Sequence, residues 1–112
     1  MIVTILDSNV VDVVGVDPKR MVACLAISDH LQWSEPLDEH LWLLQEKINA
    51  YLRFIEGGDL YEAYPSARDC KCTIELVAKY PLPQKALEFV EQAGLVIRGA
   101  GFDFSYRVQD DS

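Results

Sequence analysis

The segment PLDEHLWLLQEKINAYLRFIEGG, residues 36–58, decides how the rest of the chain can fold. Leu37, Leu41, Leu44, Ile48, Tyr51 or Leu52, and Ile55 recur at spacings of three and four. That period gathers them into one apolar stripe on a helix. Pro36 suits the first turn, where N–H groups have no carbonyl partner within the helix. Asp38 and Glu39 complement its positive end. Gly57-Gly58 ends it, since glycine takes the left-handed conformation that closes a helix. A helix with one apolar face needs a surface to lie on, and its flanks supply strands.

Upstream, residues 21–28 (MVACLAIS) form a continuous apolar run, the pattern of a strand covered on both faces. Residues 10–16 (VVDVVGV) are β-branched and predict another strand. Asp17-Pro18-Lys19-Arg20 is a turn between them, so the pair reads as a hairpin. Downstream, residues 59–69 read as a loop with one helical turn at 60–64, closed by Pro65. Residues 72–80 (CTIELVAKY) predict a strand, broken by Pro81 and Pro83. Leu87, Val90, Ala93 or Gly94, and Ile97 mark a second helix over 84–97. Gly94 weakens its last turn by about 1 kcal/mol relative to Ala, and Gly99-Ala100-Gly101 ends it. Phe102, Phe104, Tyr106 and Val108 alternate with Asp103, Ser105 and Arg107, which predicts a strand with one face buried. The order ββαβαβ implies a single α+β domain over residues 1–112. Its expected form is a two-layer sandwich, a mixed four-stranded sheet with both helices on one face. Residues 1–9 read as a fifth strand at 2–6 or a tail, and residues 109–112 as a disordered tail.

Of 112 residues, 50% are apolar and 25% charged, enough to build a core without disulfides or metal. A net charge of −8 argues against nucleic acid and anionic membrane as partners, since both require clustered positive charge. The apolar opening, residues 1–6, has no basic flank and no small-residue cleavage site, so it does not read as a signal peptide. No run reaches the ~18 apolar residues of a membrane span. Three cysteines is an odd count that suits reduced thiols in a cytoplasmic protein.

Both histidines and both tryptophans fall within residues 29–42. Asp29, His30 and Trp33 leave the second strand and His40 opens the helix, at an end of the sheet where α/β proteins place sites. With Tyr61 and Tyr64 from the following loop, these four form a candidate ligand pocket. A histidine beside a carboxylate has its tautomer fixed and can exchange protons near neutrality. The competing expectation is a loop ordered by its own aromatics, with the carboxylates capping the helix. His30 and His40 are ten residues apart and no third ligand is placed, so neither a metal nor a cofactor is expected. Cys70-Lys71-Cys72 is a C-x-C, poor for a disulfide and weak for zinc; Cys24 reads as a small packing residue. No phosphate-binding glycine loop or nucleophile elbow occurs. Ser28, Ser34 and His30 make no triad, and no catalytic residue is assigned.

Charge is distributed unevenly. Asp29, Glu35, Asp38, Glu39, Glu46, Glu56, Asp59 and Glu62 are offset within that window only by Lys47 and Arg53. Trp42 lies about 100° from Leu41 on the helix, at or beyond the edge of the stripe. A tryptophan among carboxylates fits an interface that captures a basic protein, with Glu39, Trp42, Glu46 and Asp59 as the contact residues. The alternative is a solvated acidic face. Homodimerisation through a sheet edge or Trp42 is compatible with either.

The string ISDHLQW at 27–33, followed by EHLWLLQEKINAYLRFIEGGDLYEAYP at 39–65, resembles a family of small bacterial proteins of unknown function. Its signature runs SDHL-x-W, EHL-x-LLQEKIN-x-Y, FIE-x-G and YE-x-YP, and the likeness spans roughly residues 10–80. The resemblance implies a stand-alone cytoplasmic protein and brings no catalytic residues. Some small acidic families of this kind serve as immunity proteins against toxins, so an inhibitor of a basic toxin is one expectation by analogy.

Overall fold

A computed structural model of the protein describes residues 11–109. The chain begins there with a hairpin, β1 (Val13–Asp17) and β2 (Val22–Asp29). Asp17 Oδ1 accepts the N–H groups of Lys19 at 3.1 Å and Arg20 at 3.2 Å, which folds the reversal back on itself. The antiparallel ladder sets Val13 opposite Ala26 and Asp17 opposite Val22. β2 then pairs in parallel with β3 (Lys71–Ala78) along its whole length, Val22 beside Lys71 through Asp29 beside Ala78. β3 pairs in parallel with β4 (Asp103–Val108), giving one mixed sheet in the order β1-β2-β3-β4. Parallel neighbours require a crossover. α1 (Asp38–Glu56) lies on the first and α3 (Gln84–Gly99) on the second. The α+β architecture with a mixed four-stranded sheet is the one expected, and the element order departs from ββαβαβ only by short helical segments between α1 and β3.

One face of the sheet carries the core. Ala23, Leu25 and Ile27 alternate along β2, Ile74, Leu76 and Ala78 along β3, and Phe104 joins them from β4. They pack with Leu44, Ile48, Tyr51 and Ile55 of α1 and with Val90, Ala93 and Ile97 of α3. The expectation that β2 is covered on both faces is corrected by this alternation. Its other face presents Val22, Cys24 and Ala26 half-buried and Ser28 exposed. Small side chains in a strand paired on both sides are sheltered by their cross-strand neighbours, so they lengthen the apolar run without needing a second layer.

Residues 59–69 are more regular than a loop: α2 (Asp59–Ala63) is followed by a 3₁₀ helix, Pro65–Asp69. Gly58, at φ 88°, swings the chain out of α1 into α2. A side chain is strained in that conformation, so Gly58→Ala is expected to cost about 1 kcal/mol in thermal or urea unfolding. α3 keeps its last turn despite Gly94, where an added Cβ would stand 3.4 Å from the Phe104 ring. Gln109, the residue after β4, donates its N–H to the Ala78 carbonyl at 2.6 Å. The suggested strand at 2–6 and the tail at 110–112 lie outside the described residues. Among those described, no helix is long and apolar enough to cross a membrane.

Candidate functional site

Three groups of polar residues stand out, and two of them are buried beneath α1. Asp29 is the last residue of β2 and follows Leu25 and Ile27 onto the helix-covered face. Its Oδ2 lies 2.6 Å from His40 Nε2, in the first turn of α1, and its Oδ1 accepts the Leu31 N–H at 3.1 Å. Asp29 is 1% exposed and His40 6%. Trp33 stacks on the imidazole with ring centroids 3.7 Å apart and planes 12° from parallel. Its indole N–H reaches the Tyr80 carbonyl at 3.3 Å. The aspartate thus fixes the imidazole while the indole covers one of its faces. His40 also borders an open cleft of about 530 Å³, whose rim includes His30, Ser34, Glu35 and Glu39. The remaining ring nitrogen, Nδ1, is closed off from solvent and has no hydrogen-bond partner among the described residues. In this arrangement the pair fastens β2, the 30–36 loop and α1 together, and a molecule in the cleft would meet the ring's edge rather than a free nitrogen.

The second group has no counterpart among the candidate residues. Lys47 is 0% exposed and its Nζ lies 2.8 Å from Asp12 Oδ1. Asp12 Oδ2 accepts the Ser28 N–H at 2.9 Å. The Tyr51 hydroxyl accepts the Asp12 N–H at 2.7 Å and donates to the Ala26 carbonyl at 2.6 Å. Burial, above all, raises the Tyr51 pKa well above that of a free phenol, so the hydroxyl stays a donor. Lys47 counts in the sequence as a base diluting an acidic window, yet it occupies the buried stripe. His40, Leu44, Lys47 and Tyr51 follow at intervals of four, three and four, the spacing that could have flagged both polar members.

The third group lies on the outside of α1. Glu39 and Trp42 are exposed there, Trp42 to 59%, and Glu46 is half-buried. Helical geometry sets these three within about 60° of one another. Asp59 stands apart at the other end of α1, beside Arg53 and Phe54 at a small hollow.

The six residues of the candidate pocket divide in the same way. Asp29, Trp33 and His40 form one cluster, with His30 on the neighbouring rim. Tyr61 sits at the opposite end of β3, its hydroxyl 4.0 Å from Cys72 Sγ, and Tyr64 follows it out of α2. Two tyrosines in an acidic loop carry no information on which end of the sheet the loop returns to.

Cys24, Cys70 and Cys72 are free. Burial pushes the Cys24 and Cys72 thiols up, away from the thiolate that nucleophilic chemistry or metal binding requires. Among the described residues, no group of three or more His, Cys, Asp or Glu is placed to hold a metal ion.

A family model described as "Family of unknown function (DUF6572)" matches residues 3–110. No curated protein and no solved structure matches the chain.

Proposed function

We propose that this chain, which belongs to the DUF6572 family, is a small acidic binding protein of the bacterial cytoplasm that captures a basic protein on the outer face of α1. The observation that carries this reading is Trp42, 59% exposed on the same helix face as Glu39 and Glu46. An exposed indole is well suited to anchor an interface, and flanking carboxylates steer a positively charged partner toward it. The net charge of −8 acts in the same direction, and three free cysteines suit a reducing compartment. An immunity-type inhibitor of a basic toxin is one protein of this description. Asp59, at the far end of α1, contributes to the field rather than to the contact.

The test is capture of a partner from a lysate of the source cell by wild-type protein and by two variants, eluted over a salt series. Trp42→Ala is expected to abolish capture while leaving the melting temperature unchanged, because the side chain is mostly in solvent. Glu39→Lys with Glu46→Lys is expected to weaken capture strongly and to flatten its salt dependence, with a small loss of stability because Glu39 complements the positive end of α1. A partner held equally by all three proteins would sink the proposal.

The cleft beside His40 supports a second reading, a small-ligand site or a modest enzyme whose pocket is rimmed by His30, Glu35 and Glu39, with Asp29 and Trp33 holding the imidazole from behind. A thermal-shift screen of metabolites separates the two: a ligand whose stabilisation is lost in Glu39→Gln but kept in Trp42→Ala would favour the cleft.

A further inference from the structure

The edge of the sheet away from the hairpin has a feature that the α1 face does not explain. β4 pairs with β3 alone, so among the described residues its second edge is open. Exposed strand edges that carry apolar side chains recruit further strands unless they are blocked. Here Tyr106 is 44% exposed and Leu95, on the adjacent flank of α3, 59%. Together with Leu87, Val90 and Phe104 they line a groove of about 670 Å³ running along the edge.

The ladder fixes which peptide groups point outward. In a parallel pair, alternate residues bond to the neighbouring strand. Gln109 bonds to Ala78 of β3, so Asp103, Ser105 and Arg107 share its orientation, while Phe104 and Tyr106 turn their N–H and C=O groups to the open side. The Phe104 carbonyl agrees with this by accepting Arg98 Nη2, from outside the sheet, at 3.1 Å. That carbonyl has a second lone pair to offer.

Which strand fits this edge follows from its own sequence. If a second β4 lies antiparallel with the two Ser105 residues opposite each other, Phe104 faces the partner copy's Tyr106 in a hydrogen-bonded pair. On the other face Asp103, 3.2 Å from Lys71 in its own chain, then meets the partner copy's Arg107, itself 3.4 Å from Glu75, so charges of alternating sign line up on each side of the axis. A shift of two residues loses both charge matches. We propose that two copies of this chain join through β4, antiparallel about a two-fold axis at Ser105, into one eight-stranded sheet with Leu95 and Tyr106 covered at the join.

Sedimentation velocity of the full chain over a concentration series tests this. The expected mass is twice the 12.7 kDa of the chain at the upper concentrations. Leu95→Glu, on an exposed helix position, and Arg107→Glu, which sets like charges across the axis, are each expected to return the mass to that of a single chain. Residues opposite each other in a non-hydrogen-bonded pair are about 4.5 Å apart at Cα, within disulfide range. Ser105→Cys is therefore expected to form an intermolecular disulfide on mild oxidation, which Leu95→Glu suppresses. A single-chain mass at every concentration overturns the proposal. So does a dimer that both substitutions leave intact, and a dimer that the Ser105→Cys variant does not cross-link overturns the register.

Discussion

Replacing Lys47 with Met is expected to lower the free energy of unfolding by about 3–5 kcal/mol, read as a fall in the urea midpoint at unchanged slope. Met preserves most of the stem that packs beneath α1, so the change isolates the charge. Without the ammonium, the carboxylate of Asp12, 2.8 Å away and almost wholly buried, keeps the Ser28 N–H but loses its counter-ion. An ionised group left in that position is far costlier than the pair was worth, because the pair had already offset its own desolvation. Lys47→Met combined with Asp12→Leu removes both charges and is expected to recover most of the loss. A double variant as unstable as the single would show that the unpaired Asp12 carboxylate is not the source of the cost.

The second large effect concerns Asp29. Asp29→Ala strips His40 Nε2 and the Leu31 N–H of their acceptors inside the protein and is expected to cost about 2–4 kcal/mol. Asp29→Asn leaves an oxygen for one of them and is expected to cost clearly less. Trp33 provides a local readout, since it stacks on the imidazole that Asp29 holds. In a Trp42→Phe background Trp33 is the remaining tryptophan, and its emission is expected to shift to the red in Asp29→Ala under conditions where the chain is still folded. Unchanged Trp33 emission together with unchanged stability would mean that the aspartate does not organise this end of the sheet.

The layout of the fold was legible because each element carries its own periodic signal. The stripe from Leu37 to Ile55 and the alternation from Phe102 to Val108 are local, and Gly57-Gly58 and Pro81 punctuate them. Residues 59–69 were harder, since five-residue helices bury too few side chains to leave a period. The contacts of the site were legible only in part. Asp29, Trp33 and His40 are close in sequence, so their meeting could be anticipated from the chain leaving one element and entering the next. Asp12 and Lys47 are 35 positions apart and meet through a pairing register that spacing alone does not reveal. Lys47 was also disguised by its type, because lysine is seldom buried and a count of charges treats it as surface. Tyr61 and Tyr64 show the reverse error: their closeness along the chain to the aromatic cluster is not closeness in space.

His40 and Lys47 stand seven positions apart on α1, roughly 10 Å along its axis, and each is gripped by an aspartate, one at the end of β2 and one just before β1. Apolar contacts tolerate some sliding and rolling of a helix on a sheet, whereas a short hydrogen bond to a carboxylate loses its strength within an ångström. Two such pins at separate points remove both freedoms: one stops translation along the axis, and the pair together stops rotation about it. The outer surface of the helix inherits that immobility, so Trp42 and its flanking carboxylates are held at a fixed bearing to the sheet before anything reaches them.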